Sequence, residues 1–240
     1  MKACDNGDSM TEYNTDQATT LETEPDTSHL PGKPSRKPTM AVFGGTFDPL
    51  HNAHLFIAGE IIRRQLAEEV LFVPARQPPH KTGVQLTPAE LRLEMLQNTL
   101  QNYPRFGVSD IEIGKEETSY TYHTLEMLSA AYPEHDITFV MGSDSLQELH
   151  EWYEATELVN RYHVLVYPRP GITMPAYSRL AHHFGYKNAR KLQDSIMQTH
   201  GMAISATEIR QLASQNASLA GLVPETVQAF ISDHNLYTEQ

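Results

Sequence analysis

Two histidines, His51 and His54, stand three residues apart directly after the turn Gly44-Gly45-Thr46-Phe47-Asp48-Pro49. The apolar residues Leu55, Ala58, Ile62 and Leu66 recur at helical spacing, so a helix follows from about Asn52. His51 and His54 then share one side of its first turn. Imidazoles beside backbone amides at the positive end of a helix suit a polyphosphate. Gly44 and Gly45 allow backbone to approach a nucleotide where a side chain would block it, and Thr46 can donate a hydroxyl or an amide. Far downstream, Ser205 and Glu208 have the S-x-x-E spacing of a capping box. Thr207 and Arg210 lie three apart at that same helix start, where a guanidinium fork is a good grip for phosphate.

The elements that must position these groups alternate. Met40–Phe43, Val70–Val73, Ile137–Met141 and Tyr162–Tyr167 are short apolar runs that read as buried strands, with Phe106–Val108 and Ile111–Ile113 as shorter extended pieces. Thr87 as cap, Pro88 at the first position and Glu90 as the box partner start a helix that runs to about Gln101. Tyr122–Ala131, Ser143–His150, Ser205–Ala213 and Pro224–Asp233 read as helices. Within residues 172–200 the pattern is ambiguous, and a helix over Tyr177–Phe184 with a strand near Ser195–Gln198 is the expectation. Repeated βα units imply an α/β fold, a Rossmann-like, doubly wound, mainly parallel sheet with helices on both faces and a small C-terminal helical part. Ligands in such sheets sit at the carboxyl ends of the strands. The glycine turn after Phe43 is at such an end.

Residues 44–54, GGTFDPLHNAH, resemble the GGTFDPxHxGH signature of the HxGH nucleotidyltransferases, and Ile204–Arg210, ISATEIR, is similar to their second signature, ISSTxIR. Between them, Pro78-Pro79-His80-Lys81, Ser119-Tyr120-Thr121, Gly142-Ser143-Asp144-Ser145, Trp152-Tyr153 and Arg169-Pro170-Gly171 follow in the order found in bacterial nicotinate-nucleotide adenylyltransferases. The resemblance covers about residues 40–239, ending in Asn235-Leu236-Tyr237. Ala53 stands where the family usually has glycine, Ala206 replaces a serine, and residues 172–200 match poorly.

That resemblance implies adenylyl transfer from ATP to nicotinate mononucleotide, giving deamido-NAD and pyrophosphate in NAD biosynthesis. It assigns His51, His54 and Arg210 to catalysis. Gly44, Gly45, Thr46, Phe47, Gly142, Asp144, Ser205 and Thr207, with Arg210, fall to ATP, Asp144 through its ribose. His80, Lys81, Tyr120, Thr121, Trp152, Tyr153 and Arg169 fall to the acceptor, with Trp152 stacking on the nicotinate ring. Arg169 could serve either substrate's phosphate. Mg²⁺ is expected on the ATP phosphates, held mostly by substrate oxygens and water. The twelve histidines form no C-x-x-C or H-E-x-x-H zinc pattern, and no dedicated metal cage is expected. Asp48 is the one candidate for a water-mediated metal role.

Other members of the superfamily remain alternatives. Pantetheine-phosphate adenylyltransferases usually carry threonine at the place of His51, and cytidylyltransferases usually carry RTxGISTT. Nicotinamide mononucleotide as acceptor differs by one ring substituent and stays open. A non-catalytic nucleotide sensor is disfavoured by intact His51, His54 and Arg210, and a class I aminoacyl-tRNA synthetase fragment by the lack of a KMSKS-like loop.

Composition sets the outer bounds. Residues 1–39 are rich in Thr, Asp, Glu, Ser and Pro, with almost no aliphatic side chains, which cannot offset chain entropy by burial. They read as a disordered tail, either dispensable for activity or preceding a translation start near Met40, and residues 40–240 as one nucleotidyltransferase domain. No signal-peptide core and no run near the roughly 18 apolar residues of a membrane span occurs. The only cysteine, Cys4, lies in the tail, so no disulfide forms within the chain, which suits a reducing cytoplasm. Of the net charge of −12, the tail carries −3 and the body −9. Such a body argues against nucleic acid and anionic membrane as partners, so anionic substrates must meet local clusters of positive groups. A homo-oligomer is compatible with the sequence.

Overall fold

In the computed structural model, which describes residues 37–77, 86–114 and 120–238, each apolar run becomes a parallel strand. The strands are β1 Thr39–Gly45, β2 Glu69–Pro74, β3 Phe106–Val108, β4 Asp136–Gly142 and β5 His163–Tyr167. Their order is β3-β2-β1-β4-β5, with Val42 facing Leu71 on one side and Phe139 on the other. The chain leaves β1 toward β2 and β3, then returns to build β4 and β5 on its opposite edge. The crevice at the carboxyl ends of β1 and β4 is therefore a topological switch point, where open α/β sheets hold their ligands.

Alternation along β1 divides the core. Ala41 and Phe43 join Val70 and Phe72 on one face, under helices α1 (Asn52–Arg63), α2 (Ala89–Leu100), α7 (Ala206–Ser214) and α8 (Glu225–Asp233). Met40 and Val42 join Leu71, Val73, Phe139 and Met141 on the other, under α3 (Thr121–Ala131), α4 (Ser143–Glu148), α5 (Ala155–Arg161) and α6 (Tyr177–Asp194). Each large apolar side chain removed from water contributes about 1.5–3 kcal/mol, so both faces are needed to hold the sheet.

Several local expectations are corrected. Ile111–Ile113 is a turn, with the Ile113 amide donating to the Asp110 carbonyl at 2.8 Å, so Phe106–Val108 is the whole edge strand. Neither expected capping box forms: no side-chain cap bond closes α2 or α7, whose N-caps are Pro88 and Ser205. Ser143–His150 is α4 followed by a 3₁₀ turn over Leu149–Glu151. Helix α5 was not expected. The ambiguous segment forms a helix of 18 residues, longer than the expected one, broken by a kink at Gly185, whose φ of 76° lies in the left-handed region that glycine tolerates. Near Ser195–Gln198 there is one bridge, Val166 with Ile196, rather than a strand.

Lys37–Thr39 already belong to the folded body. The Asp136 amide donates to the Pro38 carbonyl at 2.9 Å, and the Thr39 amide to Glu68 Oε2 at 2.6 Å. The remainder of the tail, residues 1–36, lies outside the described residues. Among the described residues no helix is long and apolar enough to cross a membrane.

Candidate active site

The turn leaving β1 drops its side chains into two adjoining cavities. The first, of about 570 Å³, is lined by Gly44, Gly45, Thr46, Phe47, His51 and His54 from the turn and α1, and by Ser205, Thr207 and Arg210 from α7. The second, of about 460 Å³, is lined by Tyr120 and Thr121 at the start of α3, by Gly142 at the end of β4, and by Trp152 and Tyr153. Gly44, Gly45, Thr46, Asp144, Tyr167 and Arg169 line both, so they form the partition between them.

His51 is the N-cap of α1, in extended backbone, and its ring stacks on that of His54 with centroids 3.6 Å apart and planes 16° from parallel. The His51 amide donates to Nδ1 of His54 at 3.3 Å. An Nδ1 that accepts carries no proton, so the His54 proton sits on Nε2, which is left as a donor. Phe43 and Phe47 meet His54 edge-on, at 5.8 and 5.0 Å. Burial, then the cation of Arg169, pushes the pKa of His51 down to about 4. That of His54 lies well below its ordinary value through burial, the neighbouring His51 and Arg169. Both rings are thus neutral at neutral pH, so positive charge at this cavity comes from elsewhere.

Arg210 and Arg169 both line it. Arg210 Nη1 donates to the Asp48 carbonyl at 2.7 Å and Nη2 to Thr207 Oγ1 at 3.3 Å, so α7 grips the turn that precedes α1. Arg169, after β5, pairs with Asp144 through Nη1 at 3.2 Å and donates from Nη2 to the Tyr167 hydroxyl at 3.1 Å. Asp144 lies in the first turn of α4, whose N-cap is Gly142, and makes no cap bond.

Several roles read from sequence shift. The Asn52 amide is taken by the Leu222 carbonyl at 2.9 Å, so two backbone donors at the start of α1, with that of His51, are engaged within the protein. At Gly45, an added Cβ would sit 2.9 Å from the Phe47 ring, so packing inside the turn already demands glycine there. At Gly44 the same atom would meet only ordinary contact, with Phe139 at 3.7 Å. Phe47 is buried, at φ 48°, among Phe43, Phe72 and His54, and supports His54 from behind. Gly142 lines the second cavity rather than the first. The Asp48 carboxylate accepts from the Tyr237 hydroxyl at 2.6 Å and from the Thr87 amide at 3.3 Å, and so holds the turn at the wall of the first cavity. No group of three or more His, Cys, Asp or Glu suited to a metal ion occurs among the described residues. His80 and Lys81 lie outside the described residues.

The model of the cytidylyltransferase-like family matches residues 42–212. A probable nicotinate-nucleotide adenylyltransferase of Symbiobacterium thermophilum is 36% identical over 82% of this chain and 94% of its own. One of Salinibacter ruber is 36% identical over 83% of this chain and 97% of its own. The chain belongs to the nicotinate-nucleotide adenylyltransferase family. Its fold is similar to that of a Plasmodium falciparum nicotinic acid mononucleotide adenylyltransferase complexed with NaAD, with a TM-score of 0.67 at 19% identity over 83% of this chain and 97% of that one.

Three features of this nicotinate-nucleotide adenylyltransferase fold escape a reading by motif. Glu112 is a buried carboxylate on the second cavity that accepts from Thr124 Oγ1 at 2.6 Å. An acid between Ile111 and Ile113 is its only trace in sequence. Residues 201–204 line the first cavity, and a Cβ at Gly201 would lie 2.6 Å from the Pro168 carbonyl oxygen. The third is Arg92, fully buried under the turn.

Proposed function

We propose that the chain transfers the adenylyl group of ATP to nicotinate mononucleotide: a phosphate oxygen of the acceptor attacks the α-phosphorus, and pyrophosphate leaves. The observation that carries this reading is the shared partition. Donors from both ends of the chain meet in one cavity, and that cavity adjoins the aromatic one across Gly44, Gly45, Thr46 and Arg169.

ATP fills the first cavity. Its triphosphate lies between the His51–His54 pair and the start of α7, where Thr207 and Arg210 meet the outer phosphates and Ser205 stands beside them. Asp144 meets the ribose. The acceptor fills the second cavity, with its ring against Trp152 and backbone groups of Tyr120, Thr121 and Tyr153 at the ring carboxylate. Arg169 sits where the acceptor phosphate meets the α-phosphate, and His80 and Lys81 add charge to the acceptor side. Such transfers need positioning and charge neutralisation more than covalent chemistry. The neutral His54 donates from Nε2 to the oxygen on which charge develops. Mg²⁺ arrives on the ATP phosphates as part of the substrate. Residues 40–240 carry the activity, in a reducing cytoplasm.

The test is purified protein with Mg-ATP and, in turn, nicotinate mononucleotide, nicotinamide mononucleotide and phosphopantetheine, with pyrophosphate and the dinucleotide measured. Nicotinate mononucleotide is expected to give the highest kcat/KM. A higher value with either other acceptor, or no pyrophosphate with any, overturns the reading.

A further inference from the structure

Arg92, in the first turns of α2, is 1% exposed and bonds to four main-chain carbonyls. Nε donates to Thr87 at 2.8 Å, Nη1 to Thr46 at 2.7 Å and Ala75 at 2.8 Å, and Nη2 to Arg76 at 3.0 Å. These acceptors come from three places: the turn after β1, the end of β2, and the approach to α2. A buried cation held by neutral carbonyls is a poor source of stability, because desolvating it costs several kcal/mol and an apolar side chain of similar volume often does as well or better. What a guanidinium adds is a planar fork that sets several acceptors in one fixed arrangement.

The acceptor that matters most is Thr46, because it lines both cavities. A peptide unit is planar, with its carbonyl and amide on opposite edges. Turning the Thr46 carbonyl inward to Arg92 turns the Phe47 amide outward. Arg92 also fixes Thr87, whose amide holds the Asp48 carboxylate, while the Asp48 carbonyl receives Arg210. One buried side chain thus governs the turn from which His51 and His54 project.

We propose that Arg92 is a positioning residue for adenylyl transfer, fixing the Thr46–Phe47 peptide at the partition so that the two substrates meet in line. The inference rests on the reaction proposed above. A residue of this kind is felt in the rate more than in either affinity, since a misplacement of about 1 Å costs on the order of a hundredfold in an oriented reaction.

R92M, which keeps the packing and removes the fork, and R92K, which keeps the charge and can reach fewer carbonyls, are compared with the wild type. Thermal unfolding, ATP affinity by calorimetry, and kcat and KM for both substrates are measured. In R92M, kcat falls on the order of a hundredfold, in R92K about tenfold, and both KM values and the ATP affinity stay within about threefold. The proposal is overturned by a folded R92M with kcat within threefold of wild type, or by losses confined to KM. It is equally overturned if neither variant is folded at 25 °C, since Arg92 is then a residue of stability. A wild type that makes no dinucleotide sinks the reaction itself; an active wild type beside an unimpaired R92M sinks only the role of Arg92.

Discussion

Arg210 Nη1 reaches the carbonyl oxygen of Asp48 at 2.7 Å across 162 positions of sequence. The guanidinium thereby ties the turn before α1 to Thr207 of α7 while lining the cavity that holds His51 and His54. A lysine at this position carries its three donors on one freely rotating nitrogen and cannot hold the carbonyl and a phosphate in the fixed geometry of a planar fork. R210K is expected to lower kcat/KM for ATP about tenfold and R210A on the order of a hundredfold, the scale of losing one donor to a developing negative charge. Steady-state kinetics with ATP varied measures this, and an R210A enzyme with wild-type kcat/KM would remove Arg210 from the site.

The stacked imidazoles tie stability to pH. With a pKa of about 4 in the folded protein against 6.5 for the free side chain, His51 binds its proton more readily when unfolded. Stability is then fully present above about pH 6.5 and is lost as pH falls toward 4. At 1.36 kcal/mol per unit, His51 accounts for up to about 3 kcal/mol of that loss. His54 is shifted in the same direction and adds to it. Thermal unfolding between pH 7 and 4.5 should show Tm falling in the wild type and falling less in H51Q, which cannot titrate. Equal slopes in the two proteins would mean that His51 is not held neutral by the fold.

Trp152 is half-buried, with its ring 6.1 Å from that of Phe139 on the second cavity. Packing and ligand stacking therefore make separable predictions. W152A should raise KM for nicotinate mononucleotide tenfold or more, about 1.4 kcal/mol, while KM for ATP changes less than threefold. Equal increases for both substrates would make the ring a packing element alone.

The parts legible in the sequence are those set by local pattern. Short, mainly apolar runs such as Val70–Val73 and Ile137–Met141 read as strands covered on both faces, and they set the sheet and its switch point. The convergence of His51, His54 and Arg210 was legible only through the resemblance of the two signatures, because neither helix start says in sequence where the other packs. The capping boxes misled, because Thr87 and Ser205 have the right neighbours but the chain enters α2 and α7 without the cap bond. Helix α5 is only seven residues long and is entered through Glu154 at φ 51°, a left-handed entry no side-chain pattern announces. Arg92 is the hardest case. An arginine among Ala89, Met95 and Leu96 reads as the solvent edge of a helix, and its burial depends on carbonyls brought from two distant stretches, at Thr46 and at Ala75 and Arg76.

The start of the chain gives a final test. Pro38 and Thr39 hydrogen-bond to Asp136 and Glu68, so the fold needs backbone slightly before Met40. We propose that residues 1–36 are dispensable. Their deletion should leave kcat/KM within about twofold and Tm unchanged within about 2 °C, because no acidic tail is required to bind a polyphosphate. Deletion through Thr39 removes the strand pairing of Thr39 with Asp136 and the bonds at both its amide and carbonyl. Each backbone bond is worth about 0.5–1.5 kcal/mol, and a loss of 1 kcal/mol moves Tm by about 2–4 °C in a domain of this size. The longer deletion should therefore lower Tm by several degrees while retaining activity at 25 °C. Loss of activity in the shorter one would place a working part of the enzyme in the tail.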